Sequence, residues 1–199
     1  APLATVLRPE DQLRKAGSAG KPVLNVETRV VNTAMEDVKV GEVGEIVHRS
    51  PHLLSGYYND PVKTAAAFTG GWFHSGDLAT VDDEGHITVV DRVKDMIISG
   101  GFNVYPTDLE AVLSGHEAVG DCAVVGVPSE AWGETPVGLY VARPGFDYED
   151  AAAIMAWAND RLGKTQRLSQ LHRIEEMPRS AIGKILKREL RESLAEQAA

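Results

Sequence analysis

The segment GGWFHSGDLATVDDEGHITVVDR, residues 70–92, determines how the first half of the chain is expected to fold. Two apolar runs lie on either side of a short acidic stretch, Asp82 to Glu84, which is followed by Gly85. Two runs of strand-forming residues joined by a short loop that contains glycine are typical of a β-hairpin. The segment therefore predicts two adjacent antiparallel strands.

The residues before this hairpin also favour strands. The segment PVLNVETRVVN, residues 22–32, alternates apolar and polar side chains, which indicates a half-buried strand. A second short strand is predicted for GEIVHRS, residues 44–50. Residues 1–91 are therefore expected to be mostly β. The expected apolar face of the first strand consists of Leu24, Val26, Thr28 and Val30.

One helix interrupts these strands. The segment NDPVKTAAAF has Asp60 in position to cap a helix and Pro61 in its first turn, where proline is well tolerated. We expect this helix to end by Gly70.

After Asp91 the pattern changes to alternating strands and helices. A short apolar run, MIIS, precedes the pair Gly100–Gly101, and a helix is predicted from about Thr107 to Ser114. The fold class is therefore α+β. A mostly β segment, residues 1–93, is followed by a small α+β unit, residues 94–199, with the boundary near Arg92–Asp95.

The rest of this second unit is predicted from its periodicity. Strands at VGDCAVVGV and VGLYVAR precede a helix in YEDAAAIMAWANDRL, which Asp147 is expected to cap. A last helix is expected to follow Lys184 directly. Its predicted apolar stripe consists of Ile185, Leu186, Leu190 and Leu194.

Composition narrows the class of protein. The chain has 199 residues, of which 43% are hydrophobic and 25% charged, as in soluble globular proteins. The net charge of −9 argues against a nucleic acid partner, and no apolar run approaches the roughly 18 residues of a membrane span. Cys122 is the only cysteine, and its apolar surroundings favour a small buried strand residue over a nucleophile. These features predict a cytoplasmic protein.

Two side chains stand out for their chemistry. Asp77 follows a glycine at the start of a strand, and its two carboxylate oxygens could accept hydrogen bonds from both hydroxyls of a ribose. An isolated Ser-Gly-Asp would more often be a turn in which the aspartate caps its own backbone. Lys184 follows Gly183 just before a helix, where a lysine is disfavoured by the helix dipole. A lysine near a helix start is otherwise usually a solvated residue.

Four short segments are rich in glycine, turn and polar residues: GEIVHRSPHLLSGYYNDPVKT (44–64), residues 70–92, DRVKDMIISGGFNVYPTDLE (91–110) and MPRSAIGKILKREL (177–190). In this order they resemble the acyl-adenylate-forming (AMP-binding) enzyme superfamily, and within it the acyl-CoA synthetase branch. The resemblance extends from about Gly17 to Arg191. Phe102 stands where the family frequently has glutamate, and Asp108 where glutamate is usual.

The resemblance implies roles for individual residues. Asp77 would bind the ribose of ATP, and Arg92 would hydrogen-bond the ribose or a phosphate. Lys184 would be the catalytic lysine, placed between the acyl carboxylate and the phosphate. Lys94 occupies the family's hinge, where the small domain rotates between two half-reactions.

Gly100 and Gly101 would lie in a loop beside the channel for coenzyme A, since a residue without a Cβ allows close approach. No metal ligand is assigned within the chain. By resemblance, the full enzyme would convert a carboxylic acid and ATP, with Mg²⁺, to acyl-AMP and pyrophosphate, and then transfer the acyl group to coenzyme A.

The family's phosphate-cradling loop, rich in Ser, Thr, Gly and Lys, is not found in the sequence, nor is a segment that would form the acyl pocket. The chain is therefore expected to be the C-terminal portion of such an enzyme. Its partner would be the missing N-terminal part, and alone it would be inactive. Two alternatives stay open: an adenylation enzyme that loads a carrier protein, and an inactive binding module descended from a ligase.

Overall fold

A computed structural model of the protein describes residues 3–146 and 150–197. The chain divides after Lys94 into two units, Ala1–Lys94 and Asp95–Ala199. This division lies within the Arg92–Asp95 segment, where the sequence pattern changes from mostly strands to mixed elements.

The first unit is built around a four-stranded antiparallel sheet. A short ribbon of β1 (Thr5–Val6) and β2 (Lys21–Pro22) precedes it. The four strands pair in chain order. They are β3 (Glu27–Val31), β4 (Gly44–Arg49), β5 (Phe73–Val81) and β6 (Ile87–Arg92). One face of the sheet buries Val30, Ile46, Ala79 and Ile87.

Two local predictions for this unit are confirmed. Strands β5 and β6 form the expected hairpin around the acidic turn. Helix α1 spans Pro61–Ala67, and the Asp60 carboxylate caps it by accepting a hydrogen bond from the backbone N–H of Lys63 at 2.8 Å. Both features depend on residues close together in sequence, which explains why the pattern was sufficient.

The prediction of one strand across residues 22–32 is wrong. The chain turns at Leu24–Asn25, where Asn25 has a φ of 64°, and β3 begins only at Glu27. Asparagine adopts this left-handed conformation more readily than most residues. The turn breaks the alternation, so Leu24 is exposed to solvent and does not belong to the core.

The described residues of the second unit, 95–146 and 150–197, form a five-stranded sheet and three helices. The expected helix near Thr107 is confirmed as α2, and the predicted strands at residues 119–127 and 137–143 correspond to β9 and β10, which form a long antiparallel pair. No helix within the described residues is long and apolar enough to cross a membrane. The elements are β7 (Ile97–Ser99), β8 (Phe102–Val104), α2 (Pro106–Ser114), β9 (Val119–Ser129), β10 (Gly133–Ala142), α3 (Ala151–Asn159), β11 (Gln170–Arg173) and α4 (Lys187–Gln197).

Helices cover both faces of this sheet. Successive residues of a strand point to opposite faces, so β9 contributes side chains to two apolar clusters. Cys122 and Val124 of β9 belong to the apolar cluster that includes α2 and α3. Ala123 and Val125 belong to the cluster that includes Leu190 of α4. Strand β9 is therefore covered on both faces and has a nearly continuous apolar run.

Helices α3 and α4 begin at Ala151 and Lys187. Asp147, the expected cap of α3, lies outside the described residues, and Asp150 caps the helix by accepting from the N–H of Ala152 at 3.0 Å. Helix α4 begins at Lys187, later than expected, since Leu186 still donates to the Pro178 carbonyl at 2.9 Å in extended pairing. Ile185 nevertheless packs on the same cluster as Leu190.

Candidate functional site

Asp77 and Arg92 form an ion pair in the first unit. They lie opposite each other on β5 and β6, and Nε of Arg92 is 3.0 Å from Oδ1 of Asp77. The side chain of Asp77 is 37% exposed and that of Arg92 is 48% exposed. A carboxylate and a planar donor are thus oriented by each other and remain accessible to a polar ligand.

The backbone before Asp77 is held by Glu45 of β4. Oε1 of Glu45 accepts from the N–H of Gly76 at 3.1 Å, and Oε2 lies 2.8 Å from Nδ1 of His74. Gly76 has a φ of 73°, which glycine adopts without the cost that a Cβ brings. Sequence reasoning assigned no role to Glu45. The Gly44-Glu45 pair in the first family-like segment was the available signal.

Lys184 lies on a tight loop in the second unit. The loop is closed by antiparallel pairing of Arg179 with Ile185, and Ser180 N–H donates to the Lys184 carbonyl at 2.8 Å. The Gly183 N–H donates to the Ser180 carbonyl at 2.8 Å. Lys184 itself is exposed, so its ammonium can contact a ligand outside the unit.

Lys94 is exposed and lies in a turn at the end of the first unit. Gly100 and Gly101 form the two-residue turn between β7 and β8, with φ values of 57° and 83°. Positive φ at both central positions is what a type I′ hairpin turn requires. A Cβ on Gly100 would lie 2.7 Å from Cε3 of Trp132, whereas Gly101 faces open space.

The structure therefore brings together one pair of the predicted site residues, Asp77 with Arg92, within the first unit. Lys184, Gly100 and Gly101 belong to the second unit.

The acidic turn of the β5–β6 hairpin is not a plausible Mg²⁺ site. Among the described residues, Asp82, Asp83 and Glu84 are the one group of carboxylates close enough to share a metal ion. However, Nζ of Lys15 lies 2.6 Å from Asp82 and 2.7 Å from Glu84. Two of the three carboxylates are already neutralised by an ammonium, which disfavours a divalent cation.

Cys122 is buried, and burial raises the pKa of its thiol. A buried thiol with a raised pKa is a poor nucleophile at neutral pH. The prediction that Cys122 is a small buried strand residue is confirmed.

Two family models match the chain. The model described as AMP-binding enzyme matches residues 1–58, and the model described as AMP-binding enzyme C-terminal domain matches residues 108–184. The second range contains most of α2, strands β9 and β10, and the loop that ends at Lys184.

Curated relatives with assigned activities are similar over nearly the whole chain. A feruloyl-CoA synthase of Amycolatopsis sp is 42% identical over 191 residues, which are 96% of this chain and 39% of that protein. A 2-succinylbenzoate–CoA ligase of Geobacillus kaustophilus is 40% identical over 185 residues, which are 93% of this chain and 37% of that protein. The chain thus spans about two fifths of the length of these relatives.

Solved structures share the fold. The o-succinylbenzoate CoA synthetase of Bacillus subtilis, in complex with an acyl-adenylate intermediate, superimposes with a TM-score of 0.83 at 33% identity. That match covers 94% of this chain and 38% of the other. The same synthetase in complex with ATP and a magnesium ion gives a TM-score of 0.81 at 33% identity, again over 94% and 38% of the two chains.

Proposed function

The chain belongs to the AMP-binding enzyme family, and on this premise we propose that it is part of an ATP-dependent acid:thiol ligase. The enzyme would activate a carboxylic acid as acyl-AMP and transfer the acyl group to coenzyme A. The observation that carries the proposal is the exposed Lys184 at the tip of a loop with internal hydrogen bonds, in a segment that matches the family's C-terminal domain.

In the first half-reaction, Asp77 and Arg92 bind the nucleotide. The Asp77 carboxylate accepts hydrogen bonds from ribose hydroxyls, and the Arg92 guanidinium, already oriented by Asp77, donates to the ribose or to a phosphate. These contacts place the α-phosphate for attack by the substrate carboxylate, and correct placement lowers the entropic part of the barrier.

Lys184 acts on the charge that develops during this attack. The carboxylate and the phosphate are both anions, so bringing them together is opposed by electrostatic repulsion. An ammonium placed between them stabilises the transition state more than the separated reactants. No step proposed for these residues depends on a magnesium ion held by this chain.

In the second half-reaction, the thiol sulfur of coenzyme A attacks the acyl carbonyl carbon of acyl-AMP, which forms the thioester and releases AMP. The Gly100–Gly101 turn would line the approach of the thiol, and Lys94 would be the hinge about which the second unit changes orientation. The names of the relatives, a feruloyl-CoA synthase and a CoA ligase, favour free coenzyme A over a carrier protein as acceptor.

The test uses the full-length enzyme and separates the two half-reactions. Acyl-AMP formation is measured by acid-dependent exchange of pyrophosphate into ATP, and thioester formation by supplying acyl-AMP with coenzyme A. Lys184→Ala should slow the first by about 10²- to 10³-fold, the scale for losing one preorganised charge stabiliser. The second should change little.

Two comparisons make this test decisive. The 199-residue chain alone should show no exchange with any acid, because the phosphate-cradling loop is missing from its sequence. If this chain exchanges pyrophosphate, or if Lys184→Ala slows both half-reactions equally, the proposed roles are wrong. If the full-length enzyme forms acyl-AMP but transfers the acyl group only to a carrier protein, the acceptor is the carrier protein and not coenzyme A.

A further inference from the structure

The guanidinium of Arg179 connects the lysine loop to the central sheet of the second unit. Its Nη1 donates to the backbone carbonyl of Gly183 at 2.6 Å, and its Nη2 donates to Oδ2 of Asp121 at 2.5 Å. Both acceptors are engaged by one planar group, so a change in the position of either is transmitted to the other.

The first of these contacts acts on the residue before Lys184. The Gly183 carbonyl is part of the peptide plane that leads into Lys184, and this plane is rigid because of its partial double bond. Gly183 has a φ of 80°, and because glycine has no Cβ, sterics alone do not fix its backbone torsions. A strong donor on this carbonyl therefore restricts the direction in which the chain enters Lys184.

The second contact, from Arg179 to Asp121, ties the guanidinium to the core of the unit. Asp121 lies on β9 directly before Cys122, Ala123 and Val124, all buried. Its Oδ1 also accepts from the N–H of Cys122 at 3.0 Å, so both carboxylate oxygens are used. The acceptor of Arg179 is thus held by β9, a strand whose next residues are buried in the core.

The tip of the loop has little packing of its own. Ile182 is 79% exposed, and Gly183 and Lys184 are also exposed. The Lys184 N–H donates to Oγ of Ser180 at 3.2 Å, the long end of the range for such hydrogen bonds. Positioning of Lys184 therefore depends on hydrogen bonds within the loop and on the fork of Arg179.

We infer that Arg179 is a positioning residue for Lys184, anchored by Asp121. It orients the lysine loop for acyl-AMP formation and does not itself contact the reacting groups. The inference rests on the proposed function, since the consequence of positioning is measured in the first half-reaction. Because the pair is partly exposed, it contributes little to global stability, and its effect should appear in kinetics more than in unfolding.

The first test needs no catalysis and uses the 199-residue chain. Arg179→Ala should raise the backbone amide exchange rates of Gly183 and Lys184 and lower their NMR order parameters, while amides of β9 keep their protection. Arg188→Ala is the matched control, because it removes the same charge from an exposed pair with Glu192 on α4. Unchanged exchange at Gly183 and Lys184 in Arg179→Ala would overturn the inference.

The second test uses the full-length enzyme. Arg179→Ala should slow acyl-AMP formation by about 10- to 10²-fold, the scale for misplacing a reacting group by about 1 Å. Thioester formation from supplied acyl-AMP should stay within about twofold, and kcat of the first step should fall more than KM for ATP rises. Arg179→Lys should restore part of the rate, since an ammonium reaches either acceptor but lacks the fork.

The outcomes distinguish the inference from the proposed function. If Lys184→Ala slows acyl-AMP formation but Arg179→Ala does not, the inference is wrong and the proposed function stands. If Lys184→Ala has no effect, the role of Lys184 fails and the inference falls with it. Should Arg179→Ala prevent folding, Asp121→Ala tests the same anchor by removing the acceptor, and a normal first half-reaction in that variant would overturn the inference.

Discussion

Arg92 faces Asp77 across β5 and β6 only because the pairing of these strands contains a bulge. From Val81 to Ala79 the partners follow a regular register, in which Ala79 pairs with Val89, but Leu78 then pairs with Asp91. Continued without this shift, the register would set Asp77 opposite Asp91. The extra residue replaces two like charges by an ion pair, and β-bulges often redirect side chains at functional sites in this way.

We predict that Asp77→Asn weakens ATP binding in the full-length enzyme. The amide loses the charge that strengthens hydrogen bonds to ribose hydroxyls and leaves Arg92 without its partner. Losing a hydrogen bond to a charged group costs about 1.5–3 kcal/mol, which corresponds to roughly 10- to 10²-fold in affinity. KM for ATP in pyrophosphate exchange is the measurement. Asp83→Asn, an exposed aspartate in the nearby turn, is the control, and equal effects of the two variants would contradict the assignment.

We expect Lys94→Pro to spare acyl-AMP formation and to block thioester formation in the full-length enzyme. Proline holds φ near about −65° and disfavours helical torsions at Val93, so a hinge that must adopt two backbone states would be held in one. Lys94→Ala removes the ammonium but leaves the torsions free, and both half-reactions should then stay closer to normal. Single-turnover rates of each half-reaction decide the matter. A proline variant that forms thioester at the normal rate would move the hinge elsewhere.

Gly100→Ala and Gly101→Ala form a matched pair within the β7–β8 turn. Each puts a Cβ at positive φ, which costs about 1–2 kcal/mol of stability. Only the methyl at position 100 also meets the Trp132 ring, so that variant should be the less stable one and should alter the fluorescence of Trp132. Urea unfolding of the 199-residue chain measures both free energies. Equal losses with unchanged fluorescence would show that Trp132 does not rest on Gly100.

Acid should destabilise the first unit through its hairpin turn. Hydrogen bonds from Arg14 and then Lys15 lower the pKa of Glu84 from its ordinary value of 4.5 to about 2, and one from Lys15 lowers the pKa of Asp82. Because the folded pKa of Glu84 is depressed, its stabilising effect is present above pH 4.5 and is lost as the pH falls towards about 2. Calorimetry of the chain should show Tm falling in this window. In the Arg14→Ala, Lys15→Ala double variant the fall should be smaller, and an identical pH dependence would refute the role of these pairs.

The sequence by itself determined the elements that depend on near neighbours. The capped helix α1, the hairpin around Asp82 and the apolar runs of β9 and β10 follow from periodicity, capping and turn chemistry, which act over a few residues. The sequence also identified Asp77, Arg92 and Lys184 as candidate site residues, because each lies in a short segment that resembles the family.

Tertiary structure alone decided how these candidates are held. The bulge that pairs Asp77 with Arg92 and the contact of Arg179 with Asp121, 58 positions away, leave no local pattern. The first depends on the register of two strands, and the second on which loop lies beside β9. Register is set by the packing of the whole sheet, because a shift of one residue moves the apolar side chains of a strand to the opposite face.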